Sequence, residues 1–261
     1  IDLPVNGVLS PVFTPDGRHI VFSANKGGVT DLAIVAVDGT GFRLLTNDMH
    51  GDFMPSVSPD GKTIAFASDR GAETDFELLR FSRWKICLYD LATGAVSVVP
   101  NQPGLSINPQ WAPDGRSIAY ITDRNGVPNV FLYDFTNREH YQLTNVVGGI
   151  SGITEFSPAL TWARTADRLA FVHFERKGEY TVWTVDNPRA LKKEPYRAPV
   201  KAPQGLVAST NNGITLTPSA PGVSGVAVVP AMPTVPAPQP PGVARPGTTG
   251  TARPGTAPPD R

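Results

Sequence analysis

The sequence predicts an all-β fold, a β-propeller of about four visible four-stranded blades, followed by an extended Pro/Gly-rich C-terminal tail. Three observations lead there. A ten-residue pattern recurs at nearly even spacing, glycine- and proline-containing turns punctuate short apolar runs, and the composition changes abruptly after Arg197.

The repeat comes first, because self-similarity at a fixed period decides the architecture. Phe13-Thr-Pro-Asp-Gly-Arg-His-Ile-Val-Phe22 aligns with Val57-Ser-Pro-Asp-Gly-Lys-Thr-Ile-Ala-Phe66 and with Trp111-Ala-Pro-Asp-Gly-Arg-Ser-Ile-Ala-Tyr120. A fourth copy, Trp162-Ala-Arg-Thr-Ala-Asp-Arg-Leu-Ala-Phe171, aligns without a gap but lacks Pro-Asp-Gly. Intervals of 44, 54 and 51 residues separate Phe13, Val57, Trp111 and Trp162, and extra residues around Glu73 to Arg83 explain the long one. Four units in 197 residues average about 49 each, close to the period of propeller repeats.

Within a unit the elements follow in order. In the second copy the strands are expected at Met54 to Ser58, Thr63 to Ser68, Trp84 to Leu91 and Ala95 to Pro100. The first two are joined by Pro-Asp-Gly: proline presets a turn dihedral, aspartate bonds the local backbone and glycine accepts a positive φ. Pro15, Asp16 and Gly17, then Pro59, Asp60 and Gly61, then Pro113, Asp114 and Gly115 are therefore structural turn residues. Asp38-Gly39-Thr40-Gly41, Ala92-Thr93-Gly94 and Thr136-Asn137-Arg138 turn the third strand into the fourth. The blades fall near 8–50, 51–104, 105–148 and 149–190, within a propeller domain of residues 1–197.

Residues 198–261 have other physics. They hold 14 of the 27 prolines, no aromatic residue, and only Lys201, Arg245, Arg253, Asp260 and Arg261 as charges. Such a segment cannot bury enough apolar surface to offset chain entropy and favours extended, polyproline-like conformations. Ala-Arg-Pro-Gly-Thr occurs at 244–248 and again at 252–256. The segment reads either as a cleavable linker or as a tether lying along a partner, with Pro230, Pro233, Pro236, Arg245, Pro246, Arg253 and Pro254 as the partner-binding residues.

The stretch Ser-Pro-Asp-Gly-Lys-Thr-Ile-Ala-Phe-Ala-Ser-Asp-Arg-Gly at 58–71, with Leu45-Thr46 and Leu143-Thr144 as repeat ends, resembles the TolB-like propeller family, and the pattern also occurs in prolyl-oligopeptidase-type propellers. The resemblance spans about residues 8 to 187. It implies a periplasmic or extracytoplasmic place in bacteria, peripheral to a membrane, and work in protein assemblies of the envelope. Because four blades are at the low end for a propeller, a small closed ring, completion by the tail or another chain, or missing blades all remain open, with a partner or missing blades favoured.

Chemistry is sparse. Lys+Arg and Asp+Glu both number 23 and the pI is near 7.1, which removes the electrostatic case for nucleic acid. No apolar run reaches the ~20 residues of a membrane helix. Gly149-Ile-Ser151-Gly-Ile153 lacks the last glycine of a nucleophile elbow and reads as a loop between blades. Asp48-Met49-His50-Gly51-Asp52 is either a polar turn or a cation loop, and His173 is a packed strand residue. Cys87 reads as a buried, inert thiol. Asp69-Arg70 and Asp123-Arg124 recur at equivalent positions, as loop anchors or as a charge ring. Trp111 and Trp162 begin equivalent inner strands as inter-blade packing.

The expectation is a non-catalytic scaffold with neither metal nor cofactor, an extrinsic subunit of an envelope or membrane complex such as a bioenergetic assembly. Its partners are other protein subunits. The alternatives are the propeller fragment of a prolyl-oligopeptidase-like hydrolase, or a ligand- or metal-binding propeller.

Overall fold

A computed structural model describes residues 2–146, 148–152, 157–174, 178–192 and 194–197. The chain folds as a four-bladed, all-β propeller, with one 3-10 turn among the described residues. The first blade comprises β1 (Gly7–Phe13), β2 (His19–Lys26), β3 (Val29–Ala36) and β4 (Arg43–Leu44). The second comprises β5 (Asp52–Val57), β6 (Thr63–Ser68), β7 (Lys85–Asp90) and β8 (Val96–Val98). The third comprises β9 (Ser106–Trp111), β10 (Ser117–Thr122), β11 (Asn129–Asp134) and β12 (Glu139–Gln142). In the fourth, β13 (Leu160–Trp162), β14 (Arg168–Phe174) and β15 (Tyr180–Asp186) make a sheet of three strands among the described residues. Every sheet is an antiparallel meander.

Among the described residues the fourth blade shows three of the four expected strands, and a turn follows the third. Asn187 takes a left-handed conformation (φ 46) and Pro188 opens the 3-10 turn Pro188–Leu191. Residues 188–192 and 194–197 then lie against the third blade. Lys192 Nζ donates to Asp134 at 2.6 Å, Arg197 grips Glu139 at 2.7 and 2.9 Å, and Tyr196 N donates to His140 O. The Tyr196 ring meets Phe131 edge-on at 5.2 Å.

The repeat residues explain how the blades stack. In β6, β10 and β14 the aligned Ile/Leu and Phe/Tyr positions face the preceding blade, and in β6 and β10 the alanine between them faces the following one. Thus Ile64 and Phe66 pack on Val21, Leu32 and Ile34 of the first blade, and Ile118 and Tyr120 on Ala65 and Ile86 of the second. Leu169 and Phe171 pack on Ala119, Ile121, Val130 and Leu132 of the third. Each seam buries side chains worth roughly 1.5–3 kcal/mol apiece. The rearward face of the first blade, with Phe22, Ala33 and Val35, is covered by Leu3, Val5 and Phe42. The forward face of the fourth carries exposed Phe174, Tyr180 and Val182. Cys87 lies fully buried within a seam, where burial pushes its thiol up to about 12.

Candidate functional site

The inner strands share a deformation that shapes the centre of the molecule. Each of β1, β5 and β9 is bulged against its neighbour, and each bulge holds a non-glycine residue with positive φ directly before a proline. These are Ser10 (φ 49), Met54 (φ 53) and Asn108 (φ 52). Asparagine tolerates that conformation better than most residues because its short amide can bond locally. Here the bond reaches across blades: Asn108 Oδ1 accepts from Ala159 N at 2.8 Å and Leu160 N at 2.9 Å. One buried side chain therefore pins the inner strand of the fourth blade to that of the third.

The bulges, with Pro11, Pro55 and Pro158, line a largely apolar cleft of about 360 Å³ together with Gln110 and the forward face of the fourth blade. A second cleft of about 270 Å³ lies beside the strand turns. Pro15, Pro59 and Pro113 line it, and Arg164, which occupies the repeat position of those prolines, donates to Phe13 O at 3.0 Å. At these turns Ser58 Oγ donates to Asp60 at 2.6 Å, Lys62 N donates to the same oxygen, and Gly61 has φ 71. Asp16 is held the same way by Thr14 Oγ1 and Arg18 N. The Thr14 bond first and the Arg18 bond second hold its carboxyl below the usual carboxylate range, as those of Ser58 and Lys62 do for Asp60. Asp114 accepts from Arg116 N and pairs with Arg189, and Gly17 and Gly115 have φ 68 and 69.

At the other strand ends, the two Asp-Arg pairs fix the connections between blades. Asp69 Oδ1 accepts from Gly51 N and lies 2.9 Å from His50 Nδ1, while Asp123 Oδ1 accepts from Leu105 N at 2.7 Å. Arg70 bridges Asp48 (2.6 Å) and Asp52 (3.0 Å). Asp31, Asp48 and Asp52 are the one group of carboxylates spaced for a cation among the described residues; the Arg70 guanidinium pairs with Asp48 and Asp52, and Asp31 accepts from Asp48 N. Burial pushes the Asp52 carboxyl up to about 6, against Arg70 and Ser68, which pull it down.

His140 was not singled out by its sequence context. Its Nε2 donates to Pro100 O at 2.9 Å, so Nδ1 is the acceptor for Tyr120 OH at 2.7 Å. Burial, with Arg124 adding to it, lowers its pKa to about 4, and the ring is neutral. His173 Nδ1 donates to Gly149 O at 2.8 Å, in the connection that leads into the fourth blade. Trp111 Nε1 donates to Ser56 O of the second blade, and Trp162 is buried in the seam between third and fourth. Ile150 is buried and its N donates to Pro128 O, while Ile153 lies outside the described residues. The tail positions Pro230, Pro233, Pro236, Arg245, Pro246, Arg253 and Pro254 also lie outside them.

Comparison with known proteins joins this geometry to the sequence. Over 67 residues the chain is 31% identical to the Tol-Pal system protein TolB of Gluconobacter oxydans, which covers 26% of this chain and 15% of that protein. The structure superposes on TolB from Acinetobacter baumannii with a TM-score of 0.58 at 24% identity, covering 69% of this chain and 41% of that one. The repeats are TolB-like. They share their fold with a puromycin hydrolase as well, at a TM-score of 0.54 and 21% identity, over 74% of this chain and 29% of the hydrolase. No family model matches. The chain spans well under two thirds of the TolB proteins it matches. No helix among the described residues is long and apolar enough to cross a membrane.

Proposed function

We propose that the chain is a non-catalytic protein-binding scaffold, an extrinsic component of a bacterial envelope or membrane protein complex on the periplasmic side, held there by residues 198–261. The observation that carries this reading is the cleft enclosed by the inner strands. Its walls are prolines and apolar side chains with a few amide and hydroxyl groups, Ser10, Asn108 and Gln110, mounted on strands that the seams and the Asn108 bonds hold rigid. A rigid, mixed apolar and amide wall suits capture of a peptide segment, because a preorganised surface loses little entropy on binding. The relatives matched by sequence carry the name of a Tol-Pal system protein, which supports membership in a multi-protein envelope system.

Deletion of residues 198–261 tests the tether. The shortened chain should keep its near-ultraviolet circular dichroism and unfolding midpoint yet no longer co-purify with the complex from native membranes. Unchanged co-purification of a folded, shortened chain would refute the assignment of the tail.

A further inference from the structure

The second blade carries an excursion that the other blades lack. Residues 69–84, sixteen in number, join β6 to β7, against two (27–28) in the first blade and six (123–128) in the third. Long connections in compact domains are commonly functional. This one is built to hold its shape: Asp75 and Arg80 exchange backbone hydrogen bonds at 2.8 and 2.9 Å, and Asp75 Oδ1 accepts from Glu77 N and Leu78 N. Ser82 N donates to Thr74 Oγ1, and Arg83 pairs with Asp123 of the next blade. Phe76 packs between His50 and Phe81.

What this frame presents to water is apolar. Leu78, Leu79, Phe81 and neighbouring Met49 are 61%, 74%, 58% and 64% exposed. Together they expose apolar surface on the order of 400 Å², the size of the largest patch on a typical monomer, which is often functional. Glu77 and Arg80 flank the two leucines, both exposed and neither in a side-chain ion pair among the described residues. Acidic Glu73, Asp75 and Glu77 offset basic Arg80 and Arg83, so the loop has no positive surplus to draw it to an anionic lipid surface.

We propose that this loop joins two copies of the chain in a reversible, two-fold symmetric dimer. A two-fold axis through Leu78 and Leu79 sets the same patch on both copies, as an isologous interface requires. Glu77 of each copy then faces Arg80 of the other, so the charge pattern is self-complementary while the leucines and Phe81 leave water. Two such patches bury on the order of 800 Å², below the roughly 1,200 Å² at which stable specific interfaces begin, so the dimer is a weak, transient one.

Sedimentation velocity of the full chain over a concentration series tests this. The wild type should shift from monomer to dimer, and Leu78→Asp should weaken association at least tenfold with an unchanged unfolding midpoint. Glu77→Arg and Arg80→Glu should each be monomeric alone, yet the two mixed together should pair, since each then supplies the charge the other needs. A wild type that stays monomeric, a dimer indifferent to Leu78→Asp, or single-reversal variants that fail to pair on mixing would each overturn the proposal. Flotation of monomeric wild type with phosphatidylcholine–phosphatidylserine vesicles would also overturn it, by assigning the loop to lipid.

Discussion

Replacing Asn108 by alanine removes one side chain and leaves two donors, Ala159 N and Leu160 N, without their acceptor inside a seam where both residues are buried. An unsatisfied buried donor costs about 1–3 kcal/mol, and an alanine held at φ 52 adds roughly 1–2 kcal/mol of backbone strain. The sum, about 3–8 kcal/mol, is a large share of the 5–15 kcal/mol that holds a typical domain together. Urea unfolding followed by tryptophan fluorescence measures it, because Trp162 sits in the seam the asparagine pins. Asn108→Gly separates the two contributions: it relieves the strain and still loses both bonds, so it should recover only the smaller part. If Asn108→Ala unfolds within about 1 kcal/mol of the wild type, the amide staple does not secure the fourth blade and the reasoning fails.

Three more outcomes follow from the same geometry. The His140 pKa is depressed from 6.5 to about 4, so its contribution is complete above pH 6.5 and is lost as pH falls toward 4, by up to about 3 kcal/mol. Raised Asp52 has the opposite sign over a similar range, gaining stability as pH falls from 6 toward 3.8, so the comparison of wild type with His140→Gln isolates the histidine; equal pH slopes would contradict a neutral, hydrogen-bonded ring. Arg70→Met strips the counter-charge from fully buried Asp52 and should destabilise by about 3–5 kcal/mol; adding Asp52→Asn should recover most of the loss in the same urea titration. Gly61→Ala forces a side chain to φ 71 and should cost about 1–2 kcal/mol in thermal unfolding, whereas Gly7→Ala, outside that region, should not.

The sheets were legible because their signals are local and repeated. In the second blade the expected strands at Met54 to Ser58 and Thr63 to Ser68 lie at Asp52–Val57 and Thr63–Ser68. The two-residue difference at the start of β5 comes from the bulge at Met54 and Pro55, which breaks the alternation that periodicity relies on. That bulge had a signal of its own in Ser10-Pro11, Met54-Pro55 and Asn108-Pro109, where the proline recurs four residues ahead of the proline of each turn. What no single-strand pattern could show is contact between distant residues. The Asn108 bonds reach across 51 and 52 residues, and Lys192 meets Asp134 across 58. Among the described residues the last blade has three strands, and the left-handed turn at Asn187-Pro188 that follows β15 precedes the contacts of Lys192, Tyr196 and Arg197 with the third blade. The Asp69 and Asp123 anchors were visible as a recurrence, but their partners Gly51 and Leu105 belong to the preceding connections and emerge only from the fold.

The central claim is that a stiff, TolB-like propeller holds protein partners. Cross-linking of the full chain in its native envelope, followed by mass spectrometry of the purified product, addresses it most directly. The account predicts a stoichiometric protein partner whose cross-links fall around the inner-strand cleft and on residues 198–261. A chain recovered without such a partner, and turning over peptide substrates by itself, would contradict it.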